Sequence, residues 1–249
     1  MDLSKFFSVL PYLLPVQLYV DDYEDLFEKN TPYWSKKLGI TPGQFLEQKC
    51  QVTTDLLRTI LLSSQVWVED PLTSLLQNGV VSFTYHLTET IGHESVIFRV
   101  DQKYLLIESY SGQYCLKRTL FTEAEVENYF RTWAAYLESE DPDLYETVTG
   151  VRIPRAVFEE PYLEFWTTRE PIPNGVELEE YLWRRIDLLL SNFREKLANW
   201  ERKWSDYHEY LFTSRWIPTT AAKVLEECPP EFPESAECYS DYLRNRFHI

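Results

Sequence analysis

Between Val80 and Leu120 the chain alternates short strand-like runs with very tight turns, a pattern that commits it to an antiparallel meander. Val80 to Leu87 is rich in Val, Phe, Thr and Tyr. Glu94 to Val100 and Lys103 to Tyr110 are separated only by Asp101 and Gln102, and Tyr114 to Leu120 follows Ser111-Gly112. If Asp101-Gln102 is a two-residue loop, Val100 faces Lys103, Ser95 faces Glu108 and His93 faces Tyr110. His93 and Glu108 then share one sheet face as diagonal neighbours, about 7 Å apart at Cα.

Helical spacing brackets the meander. Before it, Val52, Leu56, Leu57, Ile60 and Leu61 recur with the helical period, which predicts a helix over about 50–63 with Cys50 at its start. After it, Thr122 and Glu125 have capping-box spacing, and Val126, Tyr129, Trp133 and Leu137 make one apolar face. Asn174 and Glu177 repeat that spacing before a stripe from Leu178 through Leu182, Ile186, Leu189, Phe193, Leu197, Trp200 and Trp204 to Leu211. The stripe predicts about nine turns of amphipathic helix, roughly 50 Å long. Residues 139–175, with the aromatic run Phe158 to Trp166, carry no clear period. The expected fold is α+β: a helix packed on an antiparallel sheet over residues 1–121, then a mostly helical region over 122–249, which either packs onto the first as one domain or stands apart from it.

Composition narrows the function classes. The 249 residues carry 24 Lys plus Arg against 40 Asp plus Glu, a formal net charge of −16. Such a chain repels phosphate backbones, so no nucleic-acid partner is expected, whereas a basic protein surface is a possible one. Four cysteines (Cys50, Cys115, Cys228 and Cys238) without a CxxC pair are too sparse for a disulfide framework. Reduced thiols in the cytoplasm are the simplest expectation, although Cys228 and Cys238 could pair. The apolar stretch Phe6 to Val20 has Pro11 and Pro15 within it and no small-x-small cleavage pattern, so it reads as a buried N-terminal segment. No stretch approaches eighteen apolar residues, so no membrane span is expected. The four His are scattered, and no HExxH, GxGxxG or GxxxxGK[ST] occurs, which points to neither a metal nor a nucleotide cofactor.

One constellation carries possible chemistry. A thiol at a helix start meets the positive end of the macrodipole, which favours the thiolate. An imidazole can take the thiol proton and later deliver it to a leaving group, and a carboxylate can orient that imidazole and stabilise its cation. Cys50, His93 and Glu108 occur in that order and in those settings. Cys115 lies within a strand run, with His86 as its only obvious partner, and makes a weaker candidate.

The segments QKCQVTTDLL at Cys50, GHESVIFRV at His93 and KYLLIESY at Glu108 together resemble the papain and transglutaminase-like superfamily of cysteine hydrolases. The resemblance is one of order and secondary structure over roughly residues 44–120. It implies Cys50 as nucleophile, His93 as general base and acid, and Glu108 as orienter, with Ser109 a weaker stand-in of opposite parity. Gln44 lies six positions before Cys50, similar to the family's oxyanion-hole amide. Gln48 is an equally available amide, and the Cys50 backbone N–H could contribute. The implied activity is cleavage or transfer at an amide or isopeptide bond of a protein or peptide, with no cofactor. The alternative is a non-catalytic acidic protein that docks a basic or helical partner.

Overall fold

Strand formation in the middle of the chain follows from β-branched and aromatic residues between turns that their sequences can make. The structure, a computed structural model, describes residues 3–20, 50–86, 92–109, 116–139, 141–149, 162–199 and 221–222. In chain order these form α1 (Ser4–Val20), α2 (Cys50–Leu61), β1 (Gln65–Val68), α3 (Pro71–Asn78), β2 (Val80–His86), β3 (Gly92–Val100), β4 (Lys103–Ser109), β5 (Leu116–Phe121), α4 (Glu123–Ser139), α5 (Pro142–Thr149), β6 (Tyr162–Thr168) and α6 (Val176–Asn199). The architecture is α+β with a six-stranded antiparallel sheet. The chain divides into two compact units, one of Leu61–Glu108 and Lys117–Leu178, the other of Asp2–Ile60, Ser109–Leu116 and Glu179–Ile249.

The first unit holds the sheet, in the order β1-β6-β2-β3-β4-β5. The β3–β4 hairpin has the register that a two-residue loop requires: Val100 lies opposite Lys103, and Ser95 opposite Glu108. Asp101 takes a left-handed backbone with φ 56°, as the first position of a primed hairpin turn needs. Its carbonyl accepts a hydrogen bond from the Asn174 amide at 2.9 Å. Asn174 is therefore committed to the hairpin turn, and α6 begins beyond it at Val176, not with the expected Asn174 cap. The Thr122–Glu125 box does form: the Thr122 N–H donates to Glu125 Oε2 at 2.7 Å, and the Glu125 N–H donates to Thr122 Oγ1 at 3.3 Å.

Two strands and two helices lie where the sequence pattern is weak. β1 and α3 occupy the stretch between α2 and β2, and α5 lies within the aperiodic segment. Pro71 opens α3 behind the Asp70 N-cap, and Gly79 closes it in the left-handed conformation. β6 is the larger surprise. It comes from the region expected to be mostly helical, yet it sits between β1 and β2, with Phe165 paired to both Val68 and Phe83.

One face of this sheet carries Val81, Phe83, Tyr85, Ile97, Tyr104, Leu106 and Phe165, and they form one buried cluster with Leu75 of α3, five residues of α4's inner face and Tyr145 of α5. Aromatic edges interlock across it: Phe83 meets Trp133 at 6.2 Å, Tyr85 meets Trp133 at 5.1 Å, and Tyr145 meets Tyr85 at 5.8 Å. On α4 the buried stripe is Val126, Tyr129, Phe130, Trp133 and Tyr136, while Leu137, expected on that face, is 40% exposed.

The second unit contains α1, most of α2 and most of α6. Phe6, Phe7, Val9, Leu10, Leu13 and Val16 of α1 are buried, as expected for the N-terminal segment, which continues helically through Pro11 and Pro15. Arg185 of α6 donates from Nη2 to the Thr59 carbonyl at 2.6 Å and from Nε to the Ile60 carbonyl at 3.1 Å, so a guanidinium satisfies the last turn of α2. Leu182, Ile186, Leu189 and Phe193 of α6 are buried, and the continuation of the stripe to Trp200, Trp204 and Leu211 lies outside the described residues. No described helix is long and apolar enough to cross a membrane.

Candidate functional site

His93 and Glu108 share a face because their strands pair through a turn of only two residues. The ring Nε2 of His93 lies 4.0 Å from Glu108 Oε1, with both side chains nearly sealed at 9% and 3% exposure. That separation is outside hydrogen-bonding distance for this atom pair but close enough for strong charge coupling in a site with little water. Ser95 lies between them on the same face, fully buried, directly opposite Glu108 and with no hydrogen-bond partner for its Oγ.

The surroundings of this pair are aromatic. On the neighbouring strand Tyr85 pairs in register with His93, and their rings stand 5.4 Å apart. Tyr129, on the first turns of α4, has its phenol pushed well above its usual value by burial, and the Glu108 charge pushes it further the same way. The phenol therefore stays protonated within the field of the Glu108 carboxylate. Glu108 also forms part of the wall of a cavity of about 600 Å³ between the sheet and the helices α4 and α5.

Cys50 is the first residue of α2 and half-buried. The first turn of α2 carries no acidic side chain, so nothing there opposes the positive end of the helix dipole. One turn on, Thr53 is buried and its hydroxyl has no hydrogen-bond partner. Cys50 belongs to one compact unit, and His93 and Glu108 to the other. Gln44, Gln48, Cys115, Cys228 and Cys238 lie outside the described residues, as does Tyr110, while of Ser109 only the backbone is described.

His93 and Glu108 are thus brought together as the sequence reading expected, with the expected register. Tyr85, Ser95 and Tyr129 are the neighbours that reading left without a role. Ser95 was visible as the residue facing Glu108, and Tyr85 could have been found by extending the same face parity across the β2–β3 pair. Tyr129 had no such signal, because its position depends on how α4 docks. Among the described residues no group of three or more His, Cys, Asp or Glu could hold a metal ion. No family model, no curated protein and no solved structure matches the chain.

Proposed function

We propose that this protein is a thiol-dependent hydrolase or acyl transferase acting at an amide or isopeptide bond, on a papain-like arrangement of helix and sheet. In this scheme the Cys50 sulfur attacks the carbonyl carbon and His93 takes the thiol proton. Collapse of the tetrahedral adduct expels the amine, which receives that proton from His93 and leaves a thioester on Cys50. Water or a second amine then attacks the thioester with His93 again as base, and collapse of the second adduct breaks the C–S bond and returns the proton from His93 to the departing Cys50 sulfur. Glu108 orients the ring and stabilises its cation, and Gln44 is the proposed oxyanion donor.

The observation that supports this reading is the buried His93–Glu108 pair, held at 4.0 Å by the hairpin register. An imidazole beside a carboxylate stabilises the protonated state that the mechanism needs midway, and burial strengthens the coupling. A thiol-reactive chloroacetamide probe, read by peptide mass spectrometry, tests it. Wild type is expected to label at Cys50 near neutral pH, Cys50→Ala to lose that adduct, and His93→Ala to label at least about tenfold more slowly. Equal labelling of Cys50 in wild type and His93→Ala counts against the scheme.

A second reading has its own observation. The face that carries His93 and Glu108 is the one packed by the aromatic cluster of α4 and α5, with the Tyr85 ring against His93. That surrounding favours a non-catalytic acidic protein in which the pair is structural and a basic protein is the partner. Binding of such a partner would weaken steeply with added salt.

A further inference from the structure

We infer that the outer edge of β1, which carries the exposed Trp67, binds an extended segment of a basic protein as an added strand whose residues alternate between basic and apolar. The inference rests on the second reading, whose basic partner it places on the molecule, and is separate from whether Cys50 acts as a nucleophile.

The edge itself comes first. β1 ends the strand order β1-β6-β2-β3-β4-β5, so among the described residues β6 alone pairs with it. Among the same residues, no backbone hydrogen bond from a turn or loop reaches residues 65–69. In an antiparallel ladder alternate residues turn both backbone groups to one neighbour, so the other residues of β1 turn theirs away from β6. Gln65, Trp67 and Glu69 are exposed, and Val66 and Val68 are half-buried. Parity explains the difference: Val68 lies opposite Phe165 on the face packed by the aromatic cluster, whereas Trp67 lies opposite Trp166 on the other face and is 51% exposed. Sheet edges are often blunted by Lys or Pro, and QVWVE over residues 65–69 has neither.

The side chains along the edge select the occupant. Residues opposite one another in an added strand share a face, so Val66 and Val68 fit apolar partners, and Gln65, Trp67 and Glu69 fit polar ones. A cation opposite Trp67 gains from the π face of its ring, and a cation opposite Glu69 gains from the carboxylate. Asp70, which caps α3, adds a second negative charge directly after Glu69. At the Gln65 end, Arg169 and Glu170 follow β6 with opposite charges and offset one another. A second copy of the chain would pair through the same edge with Trp67 opposite Trp67 and Gln65 opposite Glu69, but it would bring a second charge of −16. Like charge of that size opposes the second copy, whereas a basic strand is drawn in by it at long range.

The test uses the full chain and the peptide Lys-Val-Arg-Val-Lys, with a neutral dye at its N-terminus and an amide at its C-terminus, followed by fluorescence anisotropy at near-neutral pH and low salt. Saturable binding is expected, at least about tenfold tighter than for Lys-Lys-Arg-Val-Val, which has the same charge without the alternation. Methylating the backbone nitrogens of the two Val, or instead those of the Arg and the last Lys, is expected to give opposite results. One set abolishes binding and the other spares it, because an added antiparallel strand pairs through alternate residues. Trp67→Lys is expected to weaken binding at least about tenfold, and Leu188→Lys, the same charge change at an exposed residue of α6, to leave it unchanged. If Trp67→Lys fails to fold, Glu69→Lys makes the same test. Equal affinity for the two peptides, or for wild type and the edge variant, overturns the inference and leaves the second reading itself standing. Absence of saturable binding overturns it too. Self-association of wild type that Trp67→Lys abolishes, seen by sedimentation, assigns the edge to a second copy and likewise overturns it.

Discussion

The two faces of the β3–β4 hairpin are both buried but are built on different principles. On one, Val96, Phe98, Leu105 and Ile107 are apolar, with none more than 8% exposed. On the other, Ile97, Tyr104 and Leu106 alternate along the same strands with His93, Ser95 and Glu108, also buried. Burial alone therefore does not distinguish the faces. An apolar face needs only shape and volume, whereas a face holding an imidazole, a hydroxyl and a carboxylate must offset the loss of water with aimed interactions. Polar groups kept at such cost on a single face, one of them in a cavity wall, mark that face as the place to look for chemistry.

That contrast can be broken at several points. The largest effect is expected at the aromatic layer that covers the polar face: Trp133→Ala should lose about 3–5 kcal/mol in urea unfolding, because a fully buried ring leaves a void among Phe83, Tyr85 and Tyr145. A smaller loss would mean that the layer is loosely packed. The pair itself comes next. His93→Leu alone removes the imidazole beside the buried Glu108 carboxylate and should cost about 3 kcal/mol, and adding Glu108→Leu should restore or exceed wild-type stability, making the polar face resemble the apolar one. If the double variant remains as unstable as the single one, the pair is a structural necessity and not a functional expense.

Two further effects lie outside the contrast and calibrate it. Gly79→Ala should cost about 1–2 kcal/mol, since φ is +79° there and a Cβ would come within 2.8 Å of Ile172 Cγ1. A loss below that would show the α3–β2 corner to be more yielding than its geometry. Thr122→Ala should cost about 1 kcal/mol by removing half of the capping box that starts α4. The Thr122 N–H, then the Thr122 hydroxyl, hold the Glu125 carboxyl below its usual value of 4.5. Because the folded value is the lower one, this contribution is present above the unfolded value and is lost as pH falls through the folded value. The stability gap between wild type and Thr122→Ala should therefore shrink as pH drops below 4.5, and a gap that widens in acid would contradict the assignment.

Local features were legible in the sequence, and docking was not. The two-residue turn at Asp101-Gln102 fixed the hairpin register, and with it the pairing of His93 and Glu108, because strand parity admits no half-steps. Cys50 at the start of α2 and the Thr122–Glu125 box followed from the same short-range rules. β6 stayed hidden because its partners, Val68 and Phe83, lie about 80 residues or more away in sequence and no turn signal announces them. Asn174 had the spacing of a cap, but a carbonyl of the distant hairpin turn claimed its amide. At Leu137 the period was right and the phase was not: Tyr136 faces the core through its contacts with Trp133 and Tyr145. The cavity lies between elements set by helix docking, which no periodicity encodes.

The most direct test of the central proposal is the rate at which Cys50 is alkylated by iodoacetamide in the His93→Leu/Glu108→Leu double variant, measured at neutral pH by peptide mass spectrometry with folding checked alongside. If the polar face serves the thiol, the variant is folded and stable, yet Cys50 reacts at least about tenfold more slowly than in wild type. If Cys50 reacts at the wild-type rate in a folded double variant, the polar face has no part in activating the thiol, and the hydrolase proposal is contradicted.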